Sequence, residues 1–415
     1  MVFQREKYVK QLEERKHNGM IKVITGIRRS GKSYLLFTIF RNYLKLQGVA
    51  DDHIIAIELD MYENAKYRDP DTILGYIKSK LADDEDYYIF LDEVQLLQEF
   101  ESVLNSFLHM HNVDVYVTGS NSKFLSNDIH TIFRGRGDEV RVYPLSFKEF
   151  CTDRSESISE LWKEYYTYGG MPALRNHHTP EQKVTYLQRL WKKTYLTDVV
   201  ERYHVRNIQA IESLTDSLCS AVGSLTNPLR IQNSLESVQK IKLATDTIAK
   251  YIGYLEDSFL FEGAKRYNIK GRKYYESIQK YYSTDVGLRN AKLNFRQQEI
   301  THIMENVIYN ELRIRGYLVD VGVVELRTYH NGKSEYVLNE VDFIASNGME
   351  KYYIQSAFSL PDEDKLNQEL ASLRKIEDSF KKIVIVGNDI APYMNDEGIL
   401  FMGLFQFLQN DKIEN

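Results

Sequence analysis

Short apolar runs alternate with longer amphipathic stretches through the first third of the chain. The runs are Ile21–Thr25, Ile54–Leu59, Tyr87–Leu91 and Val113–Thr118; between them, Tyr34–Gln47, Thr72–Ala82 and Phe100–His109 place apolar residues at helical spacing. Apolar strands alternating with amphipathic helices predict an α/β domain with a mostly parallel sheet covered on both faces. Tyr143-Pro144 interrupts the pattern, and Leu145–Phe150 reads as the start of a short helix. From about residue 151 to 260 the spacing is almost wholly helical. There Asn227-Pro228 opens one helix, with proline suited to a first turn. Thr245–Asp257 forms another, with Ile248, Ile252 and Leu255 on one face and Thr245 or Asp246 as cap. Residues 259–283 alternate around Lys270-Gly271, the pattern of a hairpin. The last third returns to mixed α/β: a helix at Ile303–Arg315, strands near Leu318–Val321, Glu340–Ala345 and Tyr352–Phe358, a helix at Asp364–Ser379 and a strand at Ile383–Val386.

A length of 415 residues suits two or three domains. With 43% hydrophobic and 27% charged residues, a disordered chain is excluded. Two cysteines exclude a disulfide scaffold and a Cys-rich zinc module, and suit a reducing, cytoplasmic setting. The opening MVFQREKYVK has no apolar signal region. No apolar run approaches the ~18 residues that would span a membrane. The net charge of −6 speaks against a nucleic-acid binder when taken whole. It is segregated, however: −3 over residues 1–150, +5 over 151–300 and −8 over 301–415.

The strongest chemical signal is Gly26-Ile27-Arg28-Arg29-Ser30-Gly31-Lys32-Ser33, followed by Tyr34. It fits G-x-x-x-x-G-K-[ST] between a strand and a helix. Glycines let the backbone wrap phosphate oxygens, and loop amides with the helix N-terminus present positive dipole to them. Lys32 suits the β- and γ-phosphates of ATP, and the Ser33 hydroxyl suits Mg2+. Tyr87–Leu91 then ends in Asp92-Glu93. Asp92 would hold Mg2+ directly or through water, and Glu93 is the natural base for an attacking water. Val115–Thr118 exits into Gly119-Ser120-Asn121, where Ser120 or Asn121 could orient that water or touch the γ-phosphate. In Arg134-Gly135-Arg136-Gly137 an arginine, Arg136 in preference to Arg134, could stabilise γ-phosphate charge, in its own or a neighbouring subunit.

On these residues the chain resembles a family of prokaryotic AAA-type P-loop ATPases. Further carriers are Thr118-Gly119-Ser120-Asn121-Ser122, Tyr143-Pro144-Leu145-Ser146-Phe147-Lys148-Glu149-Phe150 and Tyr168-Gly169-Gly170-Met171-Pro172. Glu305-Asn306, Asn310-Glu311-Leu312 and Arg315-Gly316-Tyr317 fit the same pattern. The resemblance implies an ATPase domain, a helical region with a winged helix, and a C-terminal domain like the restriction-endonuclease fold. The expected division is therefore 1–150 ATPase, 151–222 helical lid or linker, 223–300 winged helix-turn-helix and 301–415 endonuclease-like. An AAA-type resemblance and the Arg134/Arg136 pair also suggest a ring of copies, although a monomeric switch could carry the same residues.

Two helices followed by a basic hairpin suit a winged helix on DNA. Lys265, Arg266, Lys270, Arg272 and Lys273 would contact phosphates, giving affinity without reading sequence. The endonuclease-like fold implies a metal site of a helical Glu, a strand Asp and an adjacent [E/Q]-x-Lys. Glu305, Asp342 and Gln355 match, but the lysine position falls on Ala357. A non-cleaving domain is therefore expected. The sequence reads as a Mg2+-dependent ATP-hydrolysing motor or switch on DNA. The alternatives are a nucleotide-gated switch with negligible hydrolysis that partners a protein rather than DNA and, less favoured, an ATP-dependent nuclease.

Overall fold

The computed structural model describes residues 3–119, 135–330, 333–348 and 350–413. They fall into two compact units, Met1–Pro144 and Leu145–Asn415. The first unit holds five parallel strands: β1 (Ile21–Thr25), β2 (Ile54–Glu58), β3 (Tyr87–Asp92), β4 (Val113–Thr118) and β5 (Gly137–Arg141), in the order β2-β3-β4-β1-β5. The pleat sends alternate residues to opposite layers. Ile21, Val23, Ile89, Leu91, Val115 and Val117 pack with the helices Pro70–Lys80 and Phe100–Leu108. Ile24, Tyr88, Phe90 and Tyr116 pack with Leu35, Leu36, Phe40 and Leu44 on the other face. Four of the five strands follow their apolar runs. The fifth, GDEVR, has too little alternation to be read as a strand, and is secured by in-register pairing along all of β1.

The second unit opens with helices that begin where the sequence caps them. Ser146 with Glu149, Ser157 with Glu160, and Thr179 with Gln182 each form a reciprocal capping box. Asn227 caps the helix Pro228–Gln239 as its sequence promises. Thr245–Asp257 is helical, but neither Thr245 nor Asp246 caps it; Ala244 occupies that position without a side-chain bond. The Tyr168-Gly169-Gly170 signature is a packing feature. Asp285 accepts the Gly170 amide at 2.7 Å and caps the helix Val286–Lys292. A Cβ at Gly287 would lie 1.8 Å from the Tyr168 carbonyl oxygen.

The expected boundaries at 222/223 and 300/301 do not divide this unit. One mixed sheet joins the hairpin to the last third. Its strands are β6 (Phe261–Asn268), β7 (Lys273–Ser283), β8 (Leu318–His330), β9 (Lys333–Asn347), β10 (Glu350–Ala357), β11 (Lys381–Val386), β12 (Tyr393–Met394) and β13 (Ile399–Gly403). The order is β12-β13-β11-β10-β9-β8-β6-β7. The hairpin is the end of this sheet because Arg266, Tyr267 and Asn268 pair parallel with Val321, Gly322 and Val323 of β8.

Candidate nucleotide site

The loop between β1 and its following helix takes the conformations that its glycines permit. Gly26 and Gly31 lie at φ 130° and 96°, and Arg29 at 66°. A Cβ at Gly26 would stand 2.1 Å from the Val142 carbonyl oxygen, so no larger residue fits there. Arg5 ties the loop down from the N-terminal side: its guanidinium donates to the carbonyls of Ser30 and Tyr143 at 2.7 and 2.9 Å. Arg28, Arg29 and Tyr34 are exposed; Ile27, Ser30 and Lys32 are buried, with Gly31 and Ser33 half-buried.

The Lys32 ammonium donates to the carbonyls of Gly26 and Ile27, at 2.9 and 3.2 Å. Burial pushes its pKa down to about 8, against the pull of Glu93 and Asp92. The Ser30 hydroxyl is buried without a hydrogen-bond partner. A backbone cradle too tight for a side chain, a desolvated ammonium and an orphaned hydroxyl fit a phosphate group, which would supply acceptors and negative charge to all three.

Asp92 ends β3 and is 4% exposed. Burial raises its pKa, while hydrogen bonds from Thr118 and Ser33 lower it. A hydroxyl at the head of the helix thus already meets the strand carboxylate, the pairing that would hold Mg2+. Glu93 follows at φ 47°, in the left-handed region. Its amide contacts Asp92 Oδ1 and Thr118 Oγ1, both at 3.2 Å, and Gln95 donates to its carboxylate. Glu58, level with Asp92 on β2, and Asp60 bring further carboxylate oxygens within 4.8 Å of Asp92 and of each other. Burial, followed by Asp92 and Asp60, raises the Glu58 pKa.

Sequence reasoning missed Thr118, Arg5, Glu58 and Asp60. Thr118 and Glu58 had a signal, since parallel neighbours of β3 must end beside Asp92. Arg5 had none, because its role depends on a contact 25 residues away. Ser120, Asn121 and Arg134 lie outside the described residues. Arg136 is at the wrong end of the sheet to serve its own site. Its carbonyl accepts the Ile21 amide, at the start of β1, and its guanidinium approaches Asn105. The loop leaves the far end of β1, roughly 16 Å along the strand.

The expected DNA-contacting residues divide. Lys270, Arg272 and Lys273 are exposed around the hairpin turn, and Lys265 is exposed along β6. Arg266 is not: it is 7% exposed, paired into the sheet, with its guanidinium 5.2 Å from the Tyr275 ring centre. Gln355 meets the Asp342 backbone and Glu369, while Glu305 and Asp342 do converge, but on an unforeseen lysine, Lys280 of β7. Its ammonium lies 2.9 Å from Glu305, 2.5 Å from Glu340 and 3.6 Å from Asp342. Burial, with the neighbouring Glu305, pushes the Asp342 carboxyl up to about 7 although Lys280 pulls it down.

Among the described residues no helix is long and apolar enough to cross a membrane. Comparison with known proteins matches residues 18–151 to a family described as "AAA domain" and residues 159–299 to a domain of unknown function, DUF8612. An uncharacterized protein of Haemophilus influenzae is 35% identical over 389 residues, covering 92% of this chain and 93% of its own. An uncharacterized protein of Methanocaldococcus jannaschii is 28% identical, over 91% of this chain and 83% of its own. Among solved structures, the Aeropyrum pernix ORC1 protein in complex with DNA aligns at 12% identity over 71% of this chain and 93% of that one, with a TM-score of 0.30. A DNA replication initiation factor aligns at 17% identity over 61% and 92%, with a TM-score of 0.25. Those superpositions are too slight to carry a function across. The AAA domain match and the near full-length identity show that the chain belongs to the prokaryotic family of AAA-type P-loop ATPases whose C-terminal part is of unknown function.

Proposed function

We propose that the protein is a Mg2+-dependent ATPase that acts as a motor or switch on DNA. The observation that carries the ATPase reading is the meeting of Lys32, Ser33, Asp92 and Glu93 at the ends of β1 and β3, around a loop with unmet need for negative charge. In this reading the loop amides and Lys32 hold the β- and γ-phosphates. Ser33 and Asp92 hold Mg2+, which neutralises phosphate charge. Glu93 accepts the proton of the attacking water. An arginine finger from Arg136 would have to serve a second copy of the chain, and turnover per subunit would then rise with protein concentration.

The DNA reading rests on four exposed cations of the β6–β7 hairpin, Lys270, Arg272 and Lys273 at its turn and Lys265 along β6. With Arg266 in the sheet, Lys265, Lys270, Arg272 and Lys273 are the contacts. ATP turnover with no DNA, single strands, duplex and four-way junctions, on a sample of known mass, tests both parts. DNA that raises turnover and binds with a steep loss of affinity in salt supports the motor or switch. No binding to any DNA at low salt favours the protein-partnering switch, and negligible turnover under every condition removes the enzyme reading.

A further inference from the structure

The resemblance to the endonuclease-like fold implies a divalent cation at Glu305, Asp342 and Gln355, yet each is already committed to protein. Glu305 accepts the Tyr282 hydroxyl at 2.7 Å and the Lys280 ammonium at 2.9 Å. One oxygen of Asp342 accepts the Ser356 amide at 2.8 Å, and the other faces Lys280. The Gln355 amide donates to Glu369 at 3.0 Å, while its carbonyl lies 3.4 Å from the Asp342 backbone N–H. Glu340, on the same face of β9 as Asp342, brings a third carboxylate to Lys280. Lys280 itself is 3% exposed.

We propose that Lys280 is the resident cation of this centre: its ammonium stands among Glu305, Glu340 and Asp342 in the place a divalent ion would take, and keeps such an ion out. The two occupants make incompatible demands. A divalent ion draws carboxylate oxygens to ~2.0–2.6 Å, whereas here Glu305 and Glu340 stand at hydrogen-bond distance from an ammonium and Asp342 at ion-pair distance, 3.6 Å. A buried lysine also repels a second cation brought to the same oxygens. Ala357, where a lysine was sought, lies in the apolar cluster with Val341, Tyr353 and Leu373. The positive charge comes instead from β7 of the hairpin. The centre therefore offers no metal-activated water for phosphodiester cleavage. Its ion pairs pin β7 to the helix Ile300–Ile314 and to β9, so the basic turn is carried by a fixed part of this sheet.

The test is Mn2+ stoichiometry in nucleotide-free, chelator-treated full-length protein, followed by electron paramagnetic resonance. Wild type and Asp342→Asn should bind the same amount, all of it in the ATPase unit. Lys280→Met should gain a further equivalent, lost again in the Lys280→Met/Asp342→Asn double variant. An equivalent that wild type binds and Asp342→Asn loses would overturn the proposal, as would folded Lys280→Met that gains none. Should Lys280→Met not fold, wild type against Asp342→Asn decides alone. Equal stoichiometry then supports the resident lysine, and a loss on Asp342→Asn overturns it.

Discussion

Lys32 and Lys280 are both withdrawn from water, 5% and 3% exposed, yet their surroundings drive them in opposite directions. Around Lys32 the direct partners are backbone carbonyls, the acids act from further off, and burial prevails: the ammonium is weakened. Around Lys280 three carboxylates close in, and they outweigh the same burial: its pKa is driven up. A weakly satisfied buried ammonium beside a glycine cradle is poised for a polyanion; a fully paired one is finished structure. Burial alone does not mark a functional lysine. What distinguishes them is whether the countercharge is built in or has to arrive with a ligand.

The comparison breaks most sharply through Lys32→Ala. It should abolish nucleotide binding or lower turnover by about 10²–10³-fold, the scale of losing one preorganised donor to transition-state charge, while leaving the fold intact by circular dichroism. Lys280→Ala should do the reverse. It leaves the buried Asp342 and the half-buried Glu305 and Glu340 uncompensated and should cost about 3–5 kcal/mol in urea unfolding, while the turnover of the protein that remains folded is unchanged.

The pH dependence sharpens the contrast further. Burial pushes the Lys32 pKa down to about 8, and bound phosphate must raise that value, so binding takes up protons. ATP affinity should hold below pH 8 and fall by about tenfold per unit above it, until the pKa of the bound state is passed. Isothermal titration across pH 6.5–9.5 reads this directly; a flat profile would mean that Lys32 stays charged without a ligand. The smallest effect concerns the hairpin. Neutralising Lys270, Arg272 and Lys273 together should reduce the slope of log affinity for duplex DNA against log salt by about 3, and neutralising Arg266 should leave it alone.

The first unit was legible because its signals are local. Gly26 to Ser33 sits between a strand and a helix, and Asp92-Glu93 ends an apolar run, so motif and fold support each other. The second unit was less so, because its important contacts are distant in sequence. Lys280 meets Glu305 and Glu340 across 25 and 60 residues, and no spacing rule connects them. Reading the missing lysine at Ala357 was sound about that position but silent about a cation supplied by a different strand. The winged-helix pattern gave the helices and the hairpin. It could not show that β6 joins β8, since parallel pairing leaves no turn signal between the strands. The charge segregation had a similar limit: it located four exposed cations and counted Arg266 and Lys280 with them, although both are interior.

The central claim is that the Lys32–Asp92–Glu93 centre hydrolyses ATP with Glu93 as base, and Glu93→Gln tests it most directly. Bound nucleotide and phosphate release should be measured on the same sample with Mg2+. The account expects ATP retained at near wild-type affinity, with hydrolysis lowered by about 10²–10⁴-fold. Turnover equal to wild type in Glu93→Gln would contradict it.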